Sequence, residues 1–173
     1  YAFQHYGLDE FADIVTVGKI TQVCATLYGE ALKPKGSILS QTFTGSSSSI
    51  ATGLKMLDLL EAGDCFGTEG QNVQRQDYFA AHLTSLHEKY PALIGGPFGE
   101  GMMIAFTPGD GSDDHAKKLM MTMYDVGLLG FVCGSLPTRI RFLPPPATTT
   151  FEHIDAAVAL LETSLIQFSQ QIV

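Results

Sequence analysis

The stretch Ala12-Asp13-Ile14-Val15-Thr16-Val17-Gly18-Lys19 is a short β-branched run stopped by a glycine, the pattern of a buried strand with a lysine at its end. Working outward, Gln22–Tyr28 has the composition of a second strand, and Lys33-Pro34-Lys35-Gly36 is punctuated as a turn. Thr42 to Ser49 is a Gly/Ser loop that opens into Ile50, Leu54, Leu57 and Leu60, an apolar pattern at helical spacing. Gly63 to Gly70, rich in Gly and Asp, reads as a hinge between two parts. Beyond it, Val73, Phe79, Leu83 and Leu86 predict a helix ending before Tyr90-Pro91, and Met102–Phe106 is the most strand-like piece of the glycine-broken stretch Ala92–Thr107. A helix over Asp113 to Val126 follows, with strands at Leu128–Cys133 and Arg139–Leu143. A last helix is then expected, capped by Thr149 with Glu152 three residues on, with Phe151, Ile154, Val158, Leu161, Leu165 and Phe168 as its inward stripe. From about residue 70 the expected order is helix, strand, helix, strand, strand, helix, an α+β layout.

Composition narrows the function classes. The 173 residues are 45% hydrophobic and 16% charged, which excludes a disordered chain. Apolar runs such as Val126–Cys133 are interrupted by Gly127 and Gly130 and fall far short of the ~20 residues of a membrane-spanning helix. Ten Lys+Arg against eighteen Asp+Glu leave a net charge of −8, a poor footprint for nucleic acid or anionic lipid. A small molecule or another copy of the chain is the expected partner. Three widely spaced cysteines, Cys24, Cys65 and Cys133, fit reduced thiols and a cytoplasmic setting better than a disulfide framework or a zinc site.

Three sets of residues could carry chemistry. A lysine at a strand end, Lys19, could offer a desolvated amine to a carbonyl, although an exposed strand-end charge explains the same placement. Thr42 to Ser49 sets hydroxyls and free backbone N–H groups at a helix start, suited to a phosphate or carboxylate and equally to a plain serine cap. In Thr138-Arg139-Ile140-Arg141-Phe142, strand alternation puts both arginines on one face opposite Ile140, suited to bidentate capture of a carboxylate or to surface ion pairs. The five histidines show no HExxH spacing, and Asp110-Gly111-Ser112-Asp113-Asp114 lacks the spacing and terminal Glu of a calcium loop.

Taken in order, Ala12–Lys19, then Gln41-Thr42-Phe43-Thr44-Gly45, then Arg139-Ile140-Arg141-Phe142-Leu143-Pro144-Pro145, with the lead-in Tyr1-Ala2-Phe3-Gln4-His5-Tyr6-Gly7, resemble the signatures of class III (ω-type) aminotransferases of the pyridoxal 5'-phosphate-dependent fold type I superfamily. The resemblance covers nearly the whole chain. Lys19-Ile20-Thr21-Gln22-Val23-Cys24 is most similar to the branch containing lysine ε-aminotransferases. In place of the family's glycine-rich run after the lysine this chain has Ile20-Thr21-Gln22-Val23, and in place of Gly-Asn-Pro it has Gly45-Ser46-Ser47.

The resemblance implies an α/β region at residues 1–62, the end of the fold type I large domain, followed by an α+β small domain at 63–173. It implies that Lys19 forms the internal aldimine with pyridoxal 5'-phosphate and then moves the proton between Cα and C4′. Thr42 would donate to the cofactor phosphate of the neighbouring subunit in a homodimer with shared active sites, and Arg141 would hold the substrate carboxylate; Arg139 has no implied role. Amino donor and 2-oxo acid acceptor are the implied small-molecule partners. In the family, the first phosphate cup, the ring-stacking aromatic and the acid at the pyridine nitrogen lie upstream of the segment resembling Tyr1. The 173 residues are therefore expected to be the C-terminal portion of a larger enzyme and inactive alone. An aminomutase or decarboxylase on the same scaffold, or a folded dimerisation module without chemistry, are the alternatives.

Overall fold

The computed structural model describes residues 1–36 and 45–172, and the chain divides into two compact units, Tyr1–Ala62 and Gly63–Val173. In the first unit a short helix α1 (Ala2–His5) precedes strand β1 (Ile14–Val17), which pairs antiparallel with β2 (Ala25–Tyr28) in the register Ile14↔Tyr28 to Val17↔Ala25. Helix α2 (Ser47–Ala62) follows. The β-branched run does form a strand, but not a buried one. Ile14 is 58% exposed, and among the described residues of this unit only Gly53 and Leu60 are buried. The apolar stripe of α2 is likewise open, with Ile50, Leu54 and Leu57 exposed. Hydrophobic periodicity records that a face is meant to be covered, and the described residues of this unit do not cover it. Accordingly, Ile14→Ser in this chain is expected to change unfolding free energy by no more than the about 0.5 kcal/mol usual at exposed positions. Denaturant titration of the two proteins checks this, and a loss of core size would show that Ile14 is buried in solution.

The second unit has its own core. Its elements are α3 (Gln71–Lys89), β3 (Ile94–Phe98), β4 (Ile104–Pro108), α4 (Asp113–Asp125), β5 (Phe131–Cys133), β6 (Arg139–Phe142) and α5 (Phe151–Ser169). The four strands form an antiparallel sheet in the order β3-β4-β6-β5. Ile104 and Phe106 on β4, with Ile140 and Phe142 on β6, turn inward to meet Leu83 of α3, Leu119 of α4 and Leu165 of α5. The Phe142 ring lies 5.4 Å from Phe79 and 5.9 Å from Phe106, so one aromatic cluster ties α3 to the sheet centre.

Local signals set the helix ends. Helix α3 stops where Pro91 bars helical geometry at Tyr90, whose N–H bonds the Leu86 carbonyl at 2.8 Å. Ser112 caps α4 by accepting from His115 N at 3.2 Å, and Asp113 and Asp114 occupy the positive first turn. At α5 the cap is Thr150, not Thr149, and its reciprocal partner is His153. Thr149 instead donates its hydroxyl to the Pro145 carbonyl at 2.7 Å, closing the turn after the proline run. Phe151 is 41% exposed and leaves the inward stripe.

One strand, β3, was hidden by its own sequence. Ile94-Gly95-Gly96-Pro97-Phe98 reads as a loop, yet Ile94 pairs with Pro108, Gly95 with Thr107 and Phe98 with Ala105, and the ladder is irregular between Gly95 and Phe98. Gly96, at φ +121°, and Pro97 sit in that irregular piece on the sheet edge, where a missing N–H costs no ladder bond. The observed order is therefore helix, strand, strand, helix, strand, strand, helix.

Helices α3 and α5 are also joined at their surface. Lys89 Nζ donates to Glu162 Oε1 at 2.6 Å, and the Tyr90 hydroxyl donates to the same oxygen at 2.9 Å. These bonds, the lysine's first, hold the Glu162 carboxyl below its ordinary range. Since the folded pKa is depressed, this contribution to stability is complete above the unfolded glutamate value of about 4.3 and is lost as pH falls through the folded value. Glu162→Gln is expected to flatten the fall in melting midpoint on acidification from pH 6 to about 3. Superimposable acid limbs for the two proteins would show that the cluster does nothing in solution.

Candidate functional site

Lys19 opens a single 3-10 turn, Lys19–Thr21, directly after β1. It is exposed and makes no ion pair among the described residues. Its backbone is unusual: Lys19 has φ +60° and Gln22, closing the same turn, has φ +59°, two side-chain-bearing residues in the left-handed region. The Lys19 carbonyl accepts from Gln22 N at 2.9 Å and from Gln22 Nε2 at 3.2 Å. The Thr21 hydroxyl donates to the Val23 carbonyl at 2.7 Å, which holds the exit into β2. Behind the turn lies α2, where a Cβ placed on buried Gly53 would overlap the Thr21 carbonyl. Neither Gln22 nor Gly53 was singled out by sequence. The available signals were a glutamine where the family run has glycine and an isolated glycine inside a helical pattern.

Thr42 lies outside the described residues, as do Gln41, Phe43 and Thr44. The described end of that segment is an ordinary helix start: Ser46 Oγ accepts from Ser49 N at 3.3 Å and donates to Ser49 Oγ at 2.8 Å.

Arg139 and Arg141 belong to the second unit. They alternate with buried Ile140 and Phe142 on β6 and so share the sheet face opposite the core. The Arg139 guanidinium sits 4.0 Å over the Phe98 ring, and its Nε approaches Thr107 Oγ1 at 3.4 Å. Arg141 Nη1 meets Met103 Sδ at 3.6 Å, and its Nε is buried without a hydrogen-bond partner. Neither arginine forms an ion pair among the described residues, so the surface-pair alternative finds no support. A buried guanidinium N–H left unpaired is costly, and an anion on this face would satisfy it.

Other polar groups are committed locally. A cavity of about 710 Å³ lined by Phe66, Glu69, Gln71, Arg75 and Phe151, among others, contains none of the sequence-predicted site residues. Its arginine is already engaged: Arg75 donates to the Pro146 carbonyl and to Gln71 Oε1, each at 2.5 Å. His115 contacts Asp110 at 2.9 Å, and His87 Nδ1 lies 2.6 Å from the Ile94 carbonyl. Among the described residues no group of three or more His, Cys, Asp or Glu is placed to hold a metal ion, and no helix is long and apolar enough to cross a membrane.

No family model matches the chain. It is 29% identical over 171 residues to the L-lysine-epsilon aminotransferase of Mycobacterium bovis, covering 95% of this chain and 36% of that protein. The same enzyme of Amycolatopsis lactamdurans is 28% identical over 173 residues, with the same coverage of 95% and 36%. A solved lysine aminotransferase from M. tuberculosis, in the internal aldimine form, superposes with a TM-score of 0.83 at 28% identity, over 97% of this chain and 38% of its own. The acetylornithine aminotransferase of Elizabethkingia anophelis shares the fold, with a TM-score of 0.73 at 24% identity over 94% of this chain and 41% of its own. The chain thus spans little more than a third of the length of the curated relatives it matches. In sequence and in fold, it is homologous to the C-terminal portion of the lysine ε-aminotransferases, class III aminotransferases of fold type I.

Proposed function

We propose that this chain is the C-terminal portion of a pyridoxal 5'-phosphate-dependent class III aminotransferase that moves an amino group between an amino acid or ω-amine and a 2-oxo acid. The observation that carries the reading is the likeness to lysine ε-aminotransferases over 95% of the chain. On this reading residues 1–62 are the end of the large cofactor domain and 63–173 the small domain. The parent enzyme is a cytoplasmic homodimer with shared active sites.

The residues present fit the cofactor in part. Lys19 offers an exposed primary amine, without an ion pair among the described residues, on a backbone turn held by Gln22, as covalent attachment of an aldehyde requires. When bound, the cofactor supplies an electron sink for the charge that develops at the substrate Cα. Lys19 would hold the cofactor and then carry the proton at Cα. Thr42 is assigned as the donor to the cofactor phosphate of the neighbouring subunit. Arg141 is assigned to the substrate carboxylate, and its unpartnered buried Nε supports that role.

The test is a chimaera in which residues 1–173 replace the matching portion of the Amycolatopsis enzyme, assayed with the cofactor, an amino donor and a 2-oxo acid. A keto product without release of CO₂ is expected; carbon dioxide or a rearranged amine would assign a decarboxylase or aminomutase instead. Robust transamination by the 173-residue chain alone would overturn its assignment as a portion of the catalytic unit. In the same chimaera Arg141→Gln is expected to raise KM for the 2-oxo acid by about tenfold or more, since a hydrogen bond to a charged group contributes about 1.5–3 kcal/mol. The variant should fold normally, because the side chain lies on the sheet face away from the core. An unchanged KM would remove Arg141 from the site.

A further inference from the structure

We propose that Gln22 and Gly53 are positioning residues for Lys19, locking its backbone so that the amine is presented in one direction; this rests on the role given to Lys19 above. Three observations converge. Lys19 and Gln22 both occupy the left-handed region, which strains any residue with a Cβ and persists only where the surroundings over-determine it. A glycine at position 22 would adopt that backbone freely and would supply the 2.9 Å amide bond to the Lys19 carbonyl. It would not supply the second bond, from Gln22 Nε2 at 3.2 Å, which closes the carbonyl from the side-chain direction. The glutamine therefore exchanges backbone ease for a clamp on the residue that carries the amine.

Gly53 supplies the back wall. It is buried in the middle of α2, where glycine weakens a helix, and the helix approaches the Thr21 carbonyl so closely that any Cβ would overlap it. The cost is compensated only if that approach is needed, and what it braces is the turn Lys19–Thr21. The Thr21 hydroxyl fixes the strand exit on Val23. Carbonyl clamp, helix wall and exit bond leave the Lys19 Cα–Cβ direction little freedom, so ordering the amine for reaction costs less. Gln22 and Gly53 act through Lys19 and touch no reacting atom.

The test uses the full 173-residue chain, with pyridoxal 5'-phosphate as an amine-reactive aldehyde trapped by cyanoborohydride. Adducts are counted by peptide mapping at Lys19 and at exposed Lys55 of α2, the internal reference. Gln22→Gly relieves backbone strain, so its melting midpoint should hold. Loss of the side-chain bond should speed amide exchange at residue 22 and lower the Lys19:Lys55 adduct ratio by about fivefold each, the worth of one neutral hydrogen bond. Gly53→Ala, which pushes Thr21 away, should lower the ratio as well; should it unfold the chain, Gln22→Gly decides alone. An unchanged ratio and unchanged exchange in Gln22→Gly overturn the proposal. A wild-type ratio near one would instead count against Lys19 as the reactive amine, and the exchange rate at residue 22 would still judge the clamp.

Discussion

Lys19→Ala is expected to cut amine transfer by the chimaera at least about a thousandfold, because one substitution removes both the covalent anchor and the proton carrier, and positioned proton transfer alone contributes about 10²–10⁴. Lys19→Arg separates charge from amine. It keeps a long cationic side chain, but a guanidinium does not give up its proton near neutral pH and cannot serve either role, so it should be as inactive as alanine. Both variants should melt like the parent protein, since Lys19 is exposed and unpaired by charge among the described residues. Initial rates of keto-acid formation decide the matter. A Lys19→Ala enzyme within tenfold of the parent would leave the chain as a dimerisation module, the reading in which this lysine does nothing.

Phe106→Ala should produce the largest loss of stability. Phe106 is 0% exposed at the centre of β4, between β3 and β6, with its ring 5.9 Å from Phe142. Truncating a phenylalanine in such a core costs about 3–5 kcal/mol, from lost transfer energy and from the cavity that packed neighbours cannot refill. Against a total of about 5–15 kcal/mol for a domain, that is enough to lower the melting midpoint by more than about 10 °C. The loss should appear in the second unit, where the core lies. Ile14→Ser, a change of similar hydrophobic character in a strand of the first unit, should be nearly silent. If the two variants were equally destabilised, the exposure of β1 would not hold in solution.

These two strands show where sequence reading succeeds and where it stops. The run Ile14–Val17 and the spacing Ile50, Leu54, Leu57 correctly give a strand and a helix, because local periodicity selects the element type. Burial is a different property, set by what lies opposite, and nothing in those residues reports whether the opposing surface is present. β6 was legible in its alternation: both arginines were expected on one face opposite Ile140, and the sheet shows that face turned away from the core, with the strand ending at Phe142, one residue before the expected Leu143. β3 was not, because Gly95, Gly96 and Pro97 are turn residues by composition, and only the ladder to β4 makes them a strand. The proposed site divides the same way. Lys19 draws notice by type and placement and Arg139 and Arg141 by sharing one strand face, the choice of Arg141 coming from the family resemblance, whereas the Gln22 clamp and the Gly53 wall depend on close approaches that no one-dimensional spacing encodes. The cap at Thr150 rather than Thr149 is a one-residue difference of the kind that a side-chain hydrogen bond decides.

The two sheets also differ in how they meet a stranger. In the four-stranded sheet, outer strand β3 carries Pro97 and an irregular ladder, devices that blunt an edge against recruitment of another strand. The hairpin β1–β2 has neither: both strands are regular, Val15 and Val17 are β-branched, and among the described residues each pairs only with the other. Held by itself at high concentration, the protein should therefore be most prone to self-associate through this hairpin. A lysine or proline introduced into β1 should improve solubility in isolation, and should impair assembly wherever the same edge is meant to be completed.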